Sequence, residues 1–337
     1  MKIIFELHHP KHYYQIKNLL LFLSQYLIII KSKDIIEELL ISENVNYINI
    51  GKAKKGIVYK LLNSFYLIYA YSRIVNDYKP DLIISKASPY SILLSFIYRF
   101  KTVITPDSEV VKLTNLFVAK LADIVITQHC FRLDFGLKHK RIDTFFESCY
   151  LHPNYFKEDS LLLAQNGFNK SERIIVIRFI GWDANHDVGH QGITDSKKIQ
   201  MIQKFEKYGR VVISSEKKLP SALEKYKFTA PPNVLHQVLH LASLYIGDSQ
   251  SMATEAALLG TPAVRCNSFV GTNDMSNFIE LQNTLNMLHN FSDIDEAIEK
   301  GIQLLESNSK ESWLKKRTAY FDSIEDPNRQ LESIITS

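Results

Sequence analysis

Hydrophobic and polar positions follow one another along the chain in blocks typical of strands that alternate with helices. Short runs rich in Ile, Leu and Val predict strands, and the amphipathic stretches between them predict helices. In the first half, strands are predicted at "KIIFEL" (2–7), "YLIIIKS", "YINI", "PDLIISK" (80–86), "TVITP" (102–106) and "DIVITQ" (123–128). A second series consists of "RIIVIRF" (173–179), "RVVISS" (210–215), "LYIGDS" (244–249) and "TPAVRC" (261–266).

Strands this apolar, each followed by a helix, indicate parallel sheets covered by helices on both faces. A chain of 337 residues also exceeds what one hydrophobic core usually organises. The pattern therefore predicts an α/β protein with two Rossmann-like domains whose parallel sheets face each other across a cleft. We expect an N-terminal domain at 1–152 and a C-terminal domain at 153–318. Residues 319–337 are expected to form a helix that packs back toward the first domain.

The composition is that of an ordinary globular protein, with 46% hydrophobic and 23% charged residues. Three cysteines without a C-x-x-C pair predict neither a disulfide framework nor a zinc site, and favour a reducing cytoplasm. No uncharged apolar stretch reaches the ~20 residues that a membrane span requires. Glu6 interrupts the apolar start of the chain, so we expect a first strand there and no signal peptide.

Charge is distributed unevenly between the two halves. Residues 1–150 carry 20 Lys/Arg against 13 Asp/Glu, a net charge of +7, whereas the remainder has a net charge of −3. Residues 51–75, "GKAKKGIVYKLLNSFYLIYAYSRIV", interleave aromatic and basic side chains. Two interpretations stay open: peripheral contact with an anionic membrane, at the inner face of the plasma membrane, or a half-buried helix with a solvated basic edge. No Arg-rich stripe or reader motif predicts nucleic-acid binding.

The segment "YIGDSQSMATEAALLGTPAVR" (245–265) begins as a strand and continues as a helix. Its turn, Asp248-Ser249-Gln250-Ser251, opens the helix, where free N–H groups and the macrodipole suit a phosphate. Glu255 follows Ser251 by one helical turn and can accept hydrogen bonds from ribose hydroxyls. The alternatives are that Asp248 or Ser249 only caps the helix, and that Glu255 only pairs with a cation such as Arg265.

This segment resembles the nucleotide-binding signature of GT-B glycosyltransferases and UDP-GlcNAc 2-epimerases, a D-S-G-G turn followed by E-A and G-x-P. Asp248-Ser249, Glu255-Ala256, and Gly260 with Pro262 match it, while Gln250 and Ser251 replace the two glycines. The resemblance implies that the turn binds the diphosphate and that Glu255 binds the ribose. "PPNVLHQVLHLASLYIGD" resembles the segment that contacts the base, which would then lie near Leu235, His236 and Val238.

Motifs along the whole chain, including "HHPKHYYQIKNL", "SKASPYSILLS" and "IRFIGWDANHDVGHQG", resemble one family. The chain is identified as a member of the prokaryotic GT-B-like proteins called domain of unknown function 354, found in polysaccharide gene clusters. The resemblance implies a donor site in the C-terminal domain and an acceptor site in the N-terminal one. The donor-binding residues are expected to be Arg178, Trp182, Asp187, Ser214, Ser215, Glu216, His236, Asp248, Ser249, Gln250, Ser251, Glu255, Asn267 and Ser268.

Inverting sugar transfer needs a base on the acceptor hydroxyl. His9 and His12 follow the first strand and titrate near neutral pH, while Asp107 and Glu109 are rivals after another strand. Each has a plainer alternative, an exposed loop imidazole or a helix cap. His186 is a further acid–base candidate in a loop that also holds Trp182, Asp183, Asp187 and His190. No metal site is expected, because His9 and His12 have no third ligand at a recognisable spacing.

Together these features predict a metal-independent glycosyltransferase of the hexosyltransferase type, without a cofactor. It would use a nucleotide-diphosphate sugar, expected to be UDP-linked, and a glycan or lipid-linked acceptor in cell-surface polysaccharide or glycolipid synthesis. One alternative is a UDP-sugar 2-epimerase-like enzyme that uses Asp107, Glu109 and His186. Another is a non-catalytic nucleotide-sugar-binding protein, which the glycines missing at 250 and 251 favour.

Overall fold

The structure is a computed structural model. It describes the backbone of residues 1–32, 36–52, 57–109, 112–181, 193–271 and 274–337. Side chains are described for the same residues except 32, 52, 57–62 and 112–116. The chain divides into two compact units: the first comprises Met1–Tyr150 with Ile324–Ser337, and the second comprises Leu151–Ser323.

The first unit is built on a parallel sheet of seven strands in the order β3-β2-β1-β4-β5-β6-β7. Each strand except the last continues into a helix or a short connection that returns to the amino edge of the sheet. The elements are β1 (Ile3–Leu7), α1 (Pro10–Lys17), β2 (Tyr26–Ser32), α2 (Ile36–Ser42), β3 (Ile48–Lys52), α3 (Ile57–Tyr78), β4 (Leu82–Ser85), α4 (Pro89–Tyr98), β5 (Lys101–Ile104), α5 (Lys112–Leu121), β6 (Ile124–Gln128), β7 (His139–Ile142) and α6 (Ser148–Leu151).

The second unit contains a parallel sheet of five strands in the order β12-β11-β10-β8-β9. Its elements are α7 (Ser160–Gln165), β8 (Ile174–Phe179), α8 (Asp195–Phe205), β9 (Arg210–Ser215), α9 (Leu235–Leu241), β10 (Leu244–Gly247), α10 (Gln250–Leu258), β11 (Ala263–Cys266), α11 (Ser276–Ile279), β12 (His289–Phe291), α12 (Ile294–Glu306) and α13 (Lys310–Asp322). The last helix, α14 (Pro327–Thr336), belongs to the first unit.

Alternating residues of the central strands supply a separate core on each face of the first sheet. Ile3, Phe5 and Leu7 of β1 belong to one buried cluster, whereas Ile4 belongs to another. This division follows from the strand geometry, which points successive side chains to opposite faces. Helices α1, α2 and α14 cover the first cluster, and α3 and α4 cover the second. Both faces of the central strands are therefore buried, which leaves the strand ends as the places for chemistry.

The structure confirms the predicted α/β class with two parallel sheets. Every strand expected from the apolar runs is present, within one or two residues at the ends. Two strands were not predicted, β7 ("HKRI") and β12 ("HNF"). Both lie at the edge of their sheet, where a short and polar strand suffices because only one neighbour pairs with it. Such segments lack the apolar run on which the prediction depended.

Candidate functional site

In the second unit, Gly247 lets β10 approach β8 more closely than any other residue would. A Cβ atom at position 247 would lie 2.6 Å from the carbonyl oxygen of Arg178. The next residue, Asp248, accepts a hydrogen bond from the Ile180 amide at 2.8 Å through Oδ1. Its carbonyl accepts from Nδ2 of Asn267 at 3.2 Å. Asp248 therefore ties together the carboxyl ends of three neighbouring strands, β8, β10 and β11.

Helix α10 begins directly after this turn. Ser249 is its N-cap and accepts from the Met252 amide at 3.3 Å. The amides of Gln250 and Ser251 precede the first intrahelical hydrogen bond, and both residues are partly exposed. The helix ends where Gly260 adopts a positive φ of 74°, a conformation that glycine adopts without strain. This partly exposed first turn has the geometry and the dipole direction of an anion-binding site.

Arg178 lies at the end of β8, where its guanidinium is mostly buried. It donates to Oγ of Ser214 at 2.7 Å and to Oε1 of Glu216 at 2.5 Å. The other oxygen of Glu216 accepts from the Gly181 amide at 2.8 Å. Ser215 donates to the carbonyl of Lys217 and stabilises the same turn. The charge of Arg178, one of the expected donor-binding residues, is thus offset by Glu216.

Glu255 lies one turn into α10 and is nearly buried. Its Oε1 is 3.3 Å from Nε2 of His236 on α9, and each side chain is only about a tenth exposed (10% and 12%). The sequence analysis named Arg265 as an alternative partner of Glu255, and this alternative was wrong. Arg265 is fully buried and donates to both carboxylate oxygens of Asp274, at 2.7 and 3.0 Å. The structure thus brings together Glu255 and His236, two of the predicted site residues.

Asn267 contributes to the support of the turn. Its Oδ1 accepts from Arg265 and from the Phe269 amide, while its Nδ2 holds the carbonyl of Asp248. Ser268, the next residue, is exposed. Val238, expected near the base, is fully buried in the core, so only its backbone is available to a ligand. The predicted residues Trp182, Asp183, His186, Asp187 and His190 lie outside the described part of the chain.

In the first unit, four charged side chains meet at the carboxyl edge of the sheet. Nζ of Lys11 lies 2.9 Å from Glu147 and 3.4 Å from Asp107, and Nζ of Lys86 lies 3.6 Å from Asp107. Burial alone would raise the pKa of Asp107, but Lys86 and Lys11 outweigh burial and lower it well below its usual range. Burial lowers the pKa of Lys86, against the opposing charge of Asp107. Asp107 is therefore a firmly ionised carboxylate.

The histidines after β1 make different hydrogen bonds. Nδ1 of His9 accepts from the Lys11 amide at 3.2 Å and caps α1. Nδ1 of His12 accepts from the His8 amide at 3.2 Å. In both rings the neutral form then carries its proton on Nε2. Burial, and next the charge of Lys86, lowers the pKa of His12 well below its usual value.

His8 differs because a carboxylate faces its other nitrogen. Oε1 of Glu6 lies 2.9 Å from Nε2 of His8, and Glu6 itself is 1% exposed. A carboxylate at this distance favours the proton on Nε2 and leaves the lone pair on Nδ1. Burial, and next the charge of Glu6, raises the pKa of the Tyr71 hydroxyl well above its usual value. Glu6 thus holds a negative charge between Tyr71 and His8.

A small cavity of about 40 Å³ lies behind this cluster. Most of its lining is apolar, and the polar side chains in it are Glu6, His12, Gln15, Ser85, Lys86 and Thr105. Nζ of Lys86 and Oε2 of Glu6 are buried without a hydrogen-bond partner among the described residues, while Oε1 of Glu6 faces His8. The carboxyl ends of β1 and β4 therefore hold two polar groups that are not fully satisfied. Glu109 does not join them, because its carboxylate is bonded to the amide and the guanidinium of Arg132.

Sequence reasoning assigned no catalytic or binding role to Glu6, His8, Lys11, Lys86 or Glu147. One signal was available: Glu6 and His8 are two residues apart at a strand end, which places both side chains on the same face. A carboxylate inside an otherwise apolar strand was interpreted only as evidence against a signal peptide.

Among the described residues, no group of three or more His, Cys, Asp or Glu side chains is placed to hold a metal ion. Nor does the described chain contain a helix long and apolar enough to cross a membrane.

Comparison with known proteins gives the family. A model described as "Protein of unknown function (DUF354)" matches residues 8–330, and the chain belongs to this family. No curated protein sequence matches it.

Solved structures with the same fold include a UDP-GlcNAc 2-epimerase from Neisseria meningitidis bound to UDP-GlcNAc. It has a TM-score of 0.65 and 11% identity, and the match covers 100% of this chain and 99% of that one. Anabaena Alr3699/HepE in complex with UDP and glucose has a TM-score of 0.63 and 16% identity, with 100% and 99% covered. The spinosyn rhamnosyltransferase SpnG complexed with thymidine diphosphate has a TM-score of 0.62 and 12% identity, with 99% and 100% covered. The fold is therefore that of the GT-B proteins.

Proposed function

We propose that this protein is a glycosyltransferase that transfers a sugar from a nucleotide diphosphate, expected to be UDP, to a hydroxyl of a glycan or lipid-linked acceptor. The observation that carries the proposal is the partly exposed first turn of α10, which Gly247 and Asp248 hold at the carboxyl edge of the second sheet. The amides of Gln250 and Ser251 would bind the diphosphate, and the helix dipole would stabilise its charge as it leaves. No cofactor or metal is part of this proposal.

The residues around α10 fit the rest of a nucleotide. Glu255 lies one turn from Ser251, so its carboxylate would accept hydrogen bonds from the ribose hydroxyls. The base would lie against the start of α9, near Leu235 and His236. Three solved proteins with this fold are described with UDP-GlcNAc, with UDP and glucose, or with thymidine diphosphate. These descriptions support a nucleoside diphosphate as the ligand class.

For the base on the acceptor hydroxyl we propose His8. His9 and His12 each use Nδ1 to accept a backbone amide, so neither has a free basic nitrogen in its neutral form. Asp107 is held ionised by two lysines and is a weak base. His8 keeps the Nδ1 lone pair, while Glu6 stabilises the positive charge that the imidazole gains when it takes the proton. The side chains of Lys11, Lys86 and Glu147 would line the acceptor site at the carboxyl edge of the first sheet.

Calorimetry with UDP, GDP, CDP and their sugars tests the donor site. We expect one nucleotide to bind, and Ser251→Glu to weaken it at least about tenfold, because an acid then stands at the helix N-terminus. Ser171→Glu is the matched control, since it adds the same charge in an exposed turn at the opposite edge of the sheet. If none of these nucleotides binds the wild-type protein, the proposal is wrong.

The same preparation separates transfer from epimerisation. The sugar of a bound donor is followed by NMR without an acceptor, and then with glycan and lipid-linked acceptors. Transfer only in the presence of an acceptor supports the glycosyltransferase. Conversion of the sugar without an acceptor supports a 2-epimerase-like enzyme, and binding without any turnover supports a nucleotide-sugar-binding protein.

A further inference from the structure

Three neighbouring helices of the first unit carry large apolar side chains on the side that faces away from the sheet. Helix α3 buries Leu67, Tyr71 and Val75 against the strands. Its other side presents Phe65, Tyr66 and Tyr69, which are 70%, 60% and 62% exposed. Tyr69 follows Phe65 by four residues and Tyr66 by three, so its ring is a neighbour of both on one side of the helix.

Helices α4 and α5 extend this group of rings into a surface. Ser64 and Ser72 of α3 share hydrogen bonds with the hydroxyls of Tyr90 and Tyr98 of α4, at 3.2 and 2.6 Å. Ile92 of α4 and Ala119 of α5 belong to one buried cluster, so these two helices are also packed together. On the outer side, α4 presents Phe96 and Ile97, and α5 presents Phe117.

We call Phe65, Tyr66, Tyr69, Phe96, Ile97 and Phe117 the apolar face. Each of the six side chains is between 60% and 70% exposed. Isolated exposed apolar residues are common, but a contiguous group of large ones marks an interaction surface. Tyrosine rings at such a surface suit the boundary between hydrocarbon and water, because the ring is apolar and the hydroxyl is polar.

The charges around the apolar face are mostly positive, which favours an anionic partner. Arg73, Arg99 and Lys120 are exposed on or beside the same three helices. Helix α4 has no charged residue and α5 has no acid, and the only acid within the three helices is Asp77 in the last turn of α3. The sequence just before α3 adds Lys52, Lys54 and Lys55.

We propose that the apolar face docks on the surface of an anionic lipid bilayer. Its aromatic and aliphatic side chains enter the interface, and the surrounding cations contact the lipid headgroups. A second copy of the chain fits less well, because a two-fold contact through this face would bring its arginines and lysines against one another. Docking of this kind would hold the first unit next to lipid-linked acceptors.

Vesicle co-sedimentation tests the proposal independently of any enzymatic activity. We expect the protein to bind vesicles made of equal parts of phosphatidylcholine and phosphatidylglycerol, and to bind more weakly to phosphatidylcholine alone. The double variant Phe96→Ser with Ile97→Ser should lower the partition coefficient at least about tenfold, because two large side chains no longer enter the interface. Leu161→Ser is the matched control: Leu161 is 69% exposed, lies in the second unit, and should leave binding unchanged.

The same vesicle assay measures how much the basic side chains contribute to binding, and thermal midpoints show whether each variant stays folded. Arg73→Glu with Arg99→Glu should reduce binding to the anionic vesicles and leave the weaker binding to phosphatidylcholine unchanged. Thermal midpoints and UDP binding should match those of the wild type in all variants, since the substituted side chains are exposed. Absence of binding to anionic vesicles overturns the proposal, as does full binding by the Phe96/Ile97 variant. A wild-type dimer that this variant converts to a monomer would show that a second copy covers the face instead.

Discussion

Nε2 of His236 lies 3.3 Å from Oε1 of Glu255, and this contact joins the first turn of α9 to the middle of α10. The two residues would contact the base and the ribose, respectively, in the proposed nucleotide site. The contact gives Glu255 a structural partner as well, so its two roles have to be separated by experiment.

Replacement of Glu255 by glutamine keeps the shape of the side chain and removes its charge. A hydrogen bond to a charged acceptor contributes about 1.5–3 kcal/mol, so we expect UDP affinity to fall roughly tenfold or more. Calorimetry measures the affinity, and Glu299→Gln on the exposed side of α12 is the control. If affinity stays constant while the thermal midpoint falls, Glu255 serves only to hold α10 against His236.

Asp274→Asn should strongly destabilise the second unit. Asp274 neutralises Arg265, which is 0% exposed and also stacks on Phe278 at 3.7 Å. Loss of one partner from a buried ion pair costs about 3–5 kcal/mol, because the other charge stays buried without compensation. Urea unfolding measures this cost. Asp195→Asn, which breaks the exposed pair with Lys198, should cost less than about 1 kcal/mol.

Gly247→Ala tests the close approach of β10 to β8. The added methyl group would meet the Arg178 carbonyl at 2.6 Å, so the strands must separate or the turn must shift. We expect a loss of about 1–3 kcal/mol in unfolding free energy, together with weaker nucleotide binding. At Gly271 a Cβ atom would have no described atom within 4 Å, so Gly271→Ala should change neither quantity. Equal effects of the two substitutions would contradict this explanation.

The central strands could be predicted because burial on both faces requires runs such as "RIIVIRF", which are visible without any knowledge of tertiary contacts. The turn at 247–251 could be located because its glycine, acid and hydroxyls interrupt such a run. The partner of the buried Arg265 could not be found in the same way. Asp274 lies in a loop after β11, and no periodicity relates it to Arg265.

The first-unit cluster was less accessible to sequence reasoning. Lys86, Asp107 and Glu147 follow different strands, and only the parallel order of the sheet brings them to one edge. The roles of His9 and His12 depend on which ring nitrogen accepts a backbone amide, a property of local geometry that residue type does not reveal.

The stability of the fold should decrease in mild acid. Burial, the largest effect in both residues, lowers the pKa of His240 and of His289 to about 4, from the usual value of 6.5. Between these values the unfolded chain binds protons that the folded chain does not bind, so the free energy of unfolding falls as the pH decreases from about 6.5 to 4. Urea unfolding across this range measures the slope. His289→Gln should make it shallower, and an unchanged slope would show that His289 does not contribute.

The last prediction concerns His8 and Glu6. His8→Ala should lower the rate of sugar transfer about 10²–10⁴-fold with little change in donor affinity, because a positioned general base contributes this much. His9→Ala should leave the rate within a few-fold of the wild type, since His9 caps α1 and its Nδ1 is occupied. Glu6→Gln keeps the shape of the strand end but no longer stabilises the protonated imidazole. It should lower the rate less than His8→Ala does, because the imidazole that accepts the proton is still present. A large loss in His9→Ala or His12→Gln with little change in His8→Ala would assign the base to another histidine.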